Sequence, residues 1–131
     1  MSWYIKAIKS YADFSGRARR KEYWMFYLFN SIIEFALYLL MLLFMVTSSA
    51  FESNVIMIPS LIISLLMGVY GLFIFIPSLA VLVRRLHDQD KSGAWVFISF
   101  VPFIGGIWLL VLTCMEGTVG PNQYGDDPKT I

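Results

Sequence analysis

Charged residues in this chain fall into clusters separated by long stretches that carry almost none. Residues 23–46 are apolar apart from Asn30, Ser31 and Glu34, residues 53–83 hold no charge, and neither do residues 92–115. An α-helix rises about 1.5 Å per residue and the hydrocarbon core of a bilayer is about 30 Å thick, so some twenty residues suffice to cross it. Lipid offers no partner to a backbone N–H or C=O, so an apolar run inside it must be helical. The pattern therefore predicts membrane helices over 23–46, 57–83 and 94–115. The second run is longer than a straight span needs, which predicts a tilt, a bend at Pro77 or a start near Pro59. Pro102, Gly105 and Gly106 sit at the centre of the third. That predicts a kinked span, with a re-entrant hairpin tipped at 102–106 as the alternative.

Ahead of the first run, Trp3, Tyr4, Ala7, Ile8, Tyr11 and Ala12 recur at spacings of three and four, with Ser2, Lys6, Lys9, Ser10 and Asp13 on the other side and Ile5 as a misfit. This predicts an amphipathic helix within 1–14, lying in the membrane interface or packed on that side of the protein. Residues 116–131 read as a turn-rich tail. The fold class expected is all-α: one polytopic membrane domain over 1–131, with an interfacial helix and three transmembrane helices.

Composition supports the membrane reading. Hydrophobic residues make up 58% and charged residues 15% of the chain, against about 45–50% and 25% in soluble domains, and the mean hydropathy is +0.69. These values exclude a disordered chain and a nucleic-acid-binding domain and argue against a soluble enzyme. A single cysteine, Cys114, excludes an internal disulfide and reads as a small buried hydrophobe. The net charge of +1 is uninformative, but the distribution is not: of ten Lys and Arg, six lie in 1–22, none in 23–83, three in 84–91 and one at Lys129. With three spans, one face carries nine of these and the other one. The positive-inside rule then predicts a cytoplasmic N-terminus and 84–93 loop, with the C-terminus outside unless the third run is re-entrant. The first run is too long, and begins too late, for a cleaved signal, and reads as a retained anchor.

Three segments break the apolar text: Phe14-Ser-Gly16-Arg17-Ala-Arg19-Arg20-Lys21-Glu22-Tyr23-Trp24; Arg84-Arg85-Leu-His87-Asp88 continuing to Lys91-Ser92-Gly93-Ala94-Trp95; and Gly117-Thr-Val-Gly-Pro-Asn122-Gln-Tyr124-Gly125-Asp126-Asp127-Pro128. In this order they resemble the signature of the bacterial inner-membrane family called domain of unknown function 805, with Ala94 where many relatives carry a second Trp. The resemblance implies a small multi-pass protein of the bacterial inner membrane. It implies no activity and leaves the motif residues Phe14, Gly16, Glu22, Tyr23, His87, Asp88, Ser92, Gly93, Asn122, Tyr124, Gly125, Asp127 and Pro128 without an assigned role.

Physical chemistry offers a role for the cations. Positive charge at a helix N-terminus opposes the helix dipole, so Arg17, Arg19, Arg20 and Lys21 are better explained by lipid phosphates and topology. Trp24 and Trp95 read as interface anchors, in a belt with Tyr23 and Tyr27. Arg84 and Arg85 suit the dipole of a helix end, and Arg84 is spaced to pair with Asp88. The expected partners are anionic lipid headgroups held by Arg17, Arg19, Arg20, Lys21, Trp24, Arg84, Arg85 and Trp95, together with a second copy or an envelope protein, and no nucleic acid. His87 beside Asp88 would suit general-base chemistry, but one His and one Asp are too few for zinc. No metal and no cofactor are expected.

Glu34 lies near the middle of the first span, where a charge costs about 3 kcal/mol or more. Asn30 and Tyr38 are spaced to satisfy it locally. Tyr70 falls at similar depth, and Ser60, Ser64, Gly68 and Gly71 form a small-residue stripe, which is read either as part of a compact core around Glu34 and Tyr70 or equally as a homodimer face. The leading functional expectation is a non-enzymatic membrane protein acting by association with lipid or an envelope protein. The alternatives are an oligomeric transport or pore subunit using Glu34, and an interfacial membrane enzyme using His87 and Asp88.

Overall fold

A computed structural model describes residues 2–130. Its elements are helix α1 (Ser2–Lys9), helix α2 (Arg20–Ala50), helix α3 (Asn54–Asp88), a 3-10 helix (Gly93–Phe100) and helix α4 (Ile104–Cys114). The chain forms two compact units. One comprises Tyr27–Phe75; the other joins the residues up to Phe26 with those from Ile76 onward.

The Tyr27–Phe75 unit is a helical hairpin. Phe51 and Glu52 form its turn, Glu52 taking the left-handed conformation with φ 48°. Ser53 caps α3 by accepting from the N–H of Ile56 at 3.4 Å, as a serine at that position commonly does. The outward side chains are those that avoid water elsewhere: Leu28, Ile32, Phe35, Leu43, Leu61, Leu65 and Leu72 are all exposed. Only α2 and α3, among the described residues, are long and apolar enough to cross a membrane. At about 1.5 Å per residue, 31 and 35 residues exceed the hydrocarbon thickness. Both helices therefore extend into the charged ends of the sequence, beyond the expected bounds 23–46 and 57–83. Pro77 does not interrupt α3, and the helix starts before Pro59.

The third apolar run does not form the expected single helix over 94–115. It is an eight-residue 3-10 segment and an eleven-residue α-helix, packed on each other. Phe103 separates them with φ 63° and ψ −47°, and the N–H of Ile104 bonds the carbonyl of Pro102 at 2.7 Å. This is a tight three-residue turn of the rarer, strained hand. Gly105 then passes so close to the first limb that an added Cβ would lie 1.8 Å from the Ile98 carbonyl oxygen. The backbone of this run therefore doubles back as a hairpin, with Phe100 and Phe103 exposed at its tip.

Two further expectations need correction. The small-residue stripe is not a packing seam within the Tyr27–Phe75 unit: Ser60 is buried, but Gly68 and Gly71 face open space. No core forms around Glu34 and Tyr70 either. The Tyr70 hydroxyl donates to Asn30 Oδ1, and Glu34 is exposed.

Helix α1 covers Ser2–Lys9 and ends short of the expected residue 14, while residue 1 of that expectation lies outside the described residues. It docks through buried Ala7 and through Tyr4, whose ring stacks on Phe26 at 5.8 Å.

Candidate functional site

In a chain this apolar, a charged group that leaves water must be neutralised by a partner. The structure meets that requirement by bringing the three polar motifs together at the end of α3. The helix stops there in a Schellman turn: Lys91 N–H bonds the Leu86 carbonyl at 3.0 Å and Asp90 N–H bonds that of His87 at 2.9 Å. Asp90 takes the left-handed position with φ 59°, usually occupied by Gly or Asn.

Asp88 is the hub. Its Oδ1 accepts from Arg17 Nε at 3.0 Å and its Oδ2 from Arg85 Nη1 at 2.5 Å. All three side chains are at most 3% exposed. The donors that remain on the two guanidiniums find backbone carbonyls. Arg17 reaches Thr118 at 2.5 Å and Gly120 at 2.6 Å. Arg85 reaches Thr113 at 3.1 Å and also Met115. Gly117 has no Cβ because one would stand 2.0 Å from Asp88 Oδ2. A second ion pair lies beside the first: buried Glu22 accepts from Arg84 Nη1 at 2.6 Å and from Lys6 Nζ at 3.1 Å.

His87 and Asn122 close the tail onto the helix. The His87 ring stacks on Tyr124 with centroids 3.8 Å apart and planes 2° from parallel. Its Nδ1 donates to the Gly16 carbonyl at 3.0 Å, and Asn122 Nδ2 donates to the His87 carbonyl at 2.9 Å. Asp127 ties the tail to itself, accepting from the N–H of Gly120 and of Lys129, both at 3.0 Å. Those two bonds hold its carboxyl below the usual range.

The sequence-predicted residues thus divide. Arg17, Arg84 and Arg85, expected to face headgroups, are buried on carboxylates. Asp88 pairs with Arg17 and Arg85, and Arg84 pairs with Glu22 rather than with Asp88. Tyr23 is buried with its ring edge against Trp24, while Trp24 and Trp95 are exposed. Lys21, Phe14, Ser92, Gly125 and Cys114 are on the surface or partly so, and Pro128 is buried in the tail. Arg20 is exposed and pairs with Glu116 at 2.6 Å. Gly93 abuts Val83, whose Cγ1 would be 3.1 Å from an added Cβ.

Gln89 and Thr113 stand outside the three motifs as read from the sequence, yet they complete the cluster. Gln89 Nε2 donates to the Leu112 and Met115 carbonyls. Its position directly after the second motif was the only hint.

Residues 11–126 match the sequence family described as Protein of unknown function (DUF805). The chain belongs to this family. It is 47% identical to "Inner membrane protein YhaI" of Escherichia coli (strain K12) over 129 residues, which is 98% of this chain and 97% of that relative. It is 43% identical to "Inner membrane protein YhaH" of the same strain over 129 residues, 98% of each chain. No solved structure matches. The relatives' names and the two long apolar helices agree on a DUF805 protein of the inner membrane.

Near the buried cluster, Trp3, Lys6, Arg19, Tyr124 and Asp126 line a cleft of about 370 Å³. The Arg19 guanidinium lies 5.3 Å and Lys6 Nζ 5.7 Å from the Trp3 ring centroid, within cation–π range. Lys6 is also held by Glu22. Arg19 has no carboxylate at ion-pair distance among the described residues.

Proposed function

We propose that this DUF805 protein is a non-enzymatic inner-membrane protein that binds phosphate-bearing lipid headgroups at its basic end. The observation that carries this is Arg19. Most of its neighbouring cations are neutralised by carboxylates, whereas Arg19 is held over Trp3 in an open cleft with Lys6 beside it. A guanidinium fork presented this way suits a phosphate oxygen pair. Catalysis is disfavoured because His87 and Asp88 are occupied. Asp88 lies between two arginines, and the His87 ring is stacked on Tyr124 and bonded to Gly16.

The topology in this proposal is two spans, α2 and α3, with the 3-10 segment and α4 dipping into the same leaflet from which they started. Helix α1 lies in the interface of that leaflet. Arg17 supports it, since its bonds to Asp88, Thr118 and Gly120 require the N-terminal segment, the end of α3 and the tail on one side. Charge supports it further. All ten Lys and Arg then share one side and the 51–53 turn has none, a sharper asymmetry than three spans give, and the positive-inside rule makes that side cytoplasmic. Reporter fusions at residues 52 and 130 check this: the first is expected outside and the second inside. A reporter at 130 that reads outside would refute the hairpin topology.

Lipid binding is checked by native mass spectrometry of the detergent-solubilised protein titrated with phosphatidylglycerol, cardiolipin or phosphatidylcholine. Preference for the anionic lipids is expected, and Lys6→Gln with Arg19→Gln should weaken it by about tenfold, at about 1 kcal/mol per cation near the headgroups. Equal affinity in wild type and the double variant would remove the cleft as a headgroup site.

A further inference from the structure

We propose that two copies of this protein pair along α2 through a polar stripe centred on Glu34. The proposal rests on the reading that α2 crosses the bilayer. Glu34 is exposed on the Tyr27–Phe75 unit, in a groove of about 360 Å³ that it shares with Ser31, Phe35, Tyr38 and Met67. No hydrogen bond or ion pair satisfies its carboxyl among the described residues. The local partners that the sequence offered are not used: Asn30 accepts from Tyr70, and Tyr38 makes no bond to Glu34. A carboxyl turned outward at mid-span would face hydrocarbon in a lone copy, an expensive arrangement that intramembrane acids avoid by facing a partner.

The chemistry of the stripe identifies that partner as a second copy. Ser31, Glu34 and Tyr38 are separated by three and four residues, and Tyr27, Met41 and Met45 continue the same alternation. Spacings of four, three, four, three and four are a heptad seam, which packs two helices side by side with a shallow left-handed crossing. On this seam a carboxyl acceptor is flanked by two hydroxyl donors. Copies inserted with one orientation hold Glu34 at one depth, and a two-fold axis along the membrane normal brings each seam against itself. The Ser31 and Tyr38 hydroxyls of one copy then face the Glu34 carboxyl of the other, and the contact is satisfied twice. An apolar helix of another protein would leave the acid unpaired, so the observations favour the self-complementary pairing.

The test uses the full chain in membranes, with Cys114→Ser removing the native thiol. Ser31→Cys and Ile32→Cys are introduced separately. Both positions are exposed, but they lie on different sides of α2. Under mild oxidation Ser31→Cys is expected to yield a disulfide-linked dimer and Ile32→Cys is not. Dimerisation of the chain with native residues at 31 and 34, followed by energy transfer in vesicles of phosphatidylethanolamine and phosphatidylglycerol, should weaken about tenfold in Glu34→Leu. Glu34→Gln, which keeps donor and acceptor atoms, should pair within a few-fold of wild type. A monomer at all protein-to-lipid ratios, equal crosslinking at 31 and 32, or unchanged pairing in Glu34→Leu would each overturn the proposal. Crosslinking of Ser31→Cys to a different protein would overturn it as well. A water-soluble maleimide separates the two readings. Labelling at Ser31→Cys would overturn the spanning of α2 itself, whereas a protected thiol without crosslinking overturns the pairing alone.

Discussion

Asp88→Asn is expected to destabilise the protein by about 3–5 kcal/mol, the loss typical when one member of a buried ion pair is removed. The substitution keeps the shape of the side chain but strips the charge that neutralises both Arg17 and Arg85, which are at most 1% exposed. Both guanidiniums then lose their shared counter-charge, so the cluster must open to water. The tail from Gly117 onward should come away with it, because Thr118 N–H bonds the Asp88 carbonyl at 2.6 Å and Arg17 holds the Thr118 and Gly120 carbonyls. Denaturation in detergent and protease sensitivity of the tail report the two effects. The matched control is Glu116→Gln. Glu116 pairs with Arg20, but their side chains are 62% and 46% exposed, and exposed pairs contribute at most about 1 kcal/mol. Equal melting of Asp88→Asn and wild type would mean that Arg17 and Arg85 are solvated.

The second large effect is expected at the hairpin, where two adjacent glycines should behave oppositely. Gly105→Ala places a Cβ 1.8 Å from the Ile98 carbonyl oxygen and 2.8 Å from its carbon. Those are backbone atoms that no rotamer change can move, so the 3-10 segment and α4 must separate. Overpacking of this kind costs about 1–3 kcal/mol or more. Gly106→Ala meets nothing within 4 Å and lies inside α4. It should be neutral or gain up to about 1 kcal/mol from helix propensity. Thermal melting of the two variants in one detergent settles the comparison, and equal behaviour would refute the close approach of the two limbs.

The two long helices were legible because lipid allows a backbone so few alternatives: an uncharged run such as 53–83 has to be helical. The third run was ambiguous for a local reason. Pro and Gly occur in membrane helices and in hairpin tips alike, and what decides between them here is the contact of Gly105 with Ile98, which no local pattern encodes. The cations are ambiguous in the sequence for a related reason. In an apolar chain a charge is expected at the interface, so the sequence points Arg17, Arg84 and Arg85 to headgroups. Their actual partners are remote in sequence: Asp88 is 71 residues from Arg17 and Arg84 is 62 from Glu22. The motifs marked which residues matter, and only the fold shows that they matter to one another.

That remoteness has a consequence for biosynthesis. Arg17 is made early, yet its acceptors at Thr118 and Gly120 follow 101 and 103 residues later. Until the ribosome has delivered them, the guanidinium and its neighbours Arg85 and Asp88 form an incomplete set. Closure of the cluster therefore has to wait for the last motif to be synthesised. A nascent chain stalled before Thr118 would leave Arg17 without those two acceptors.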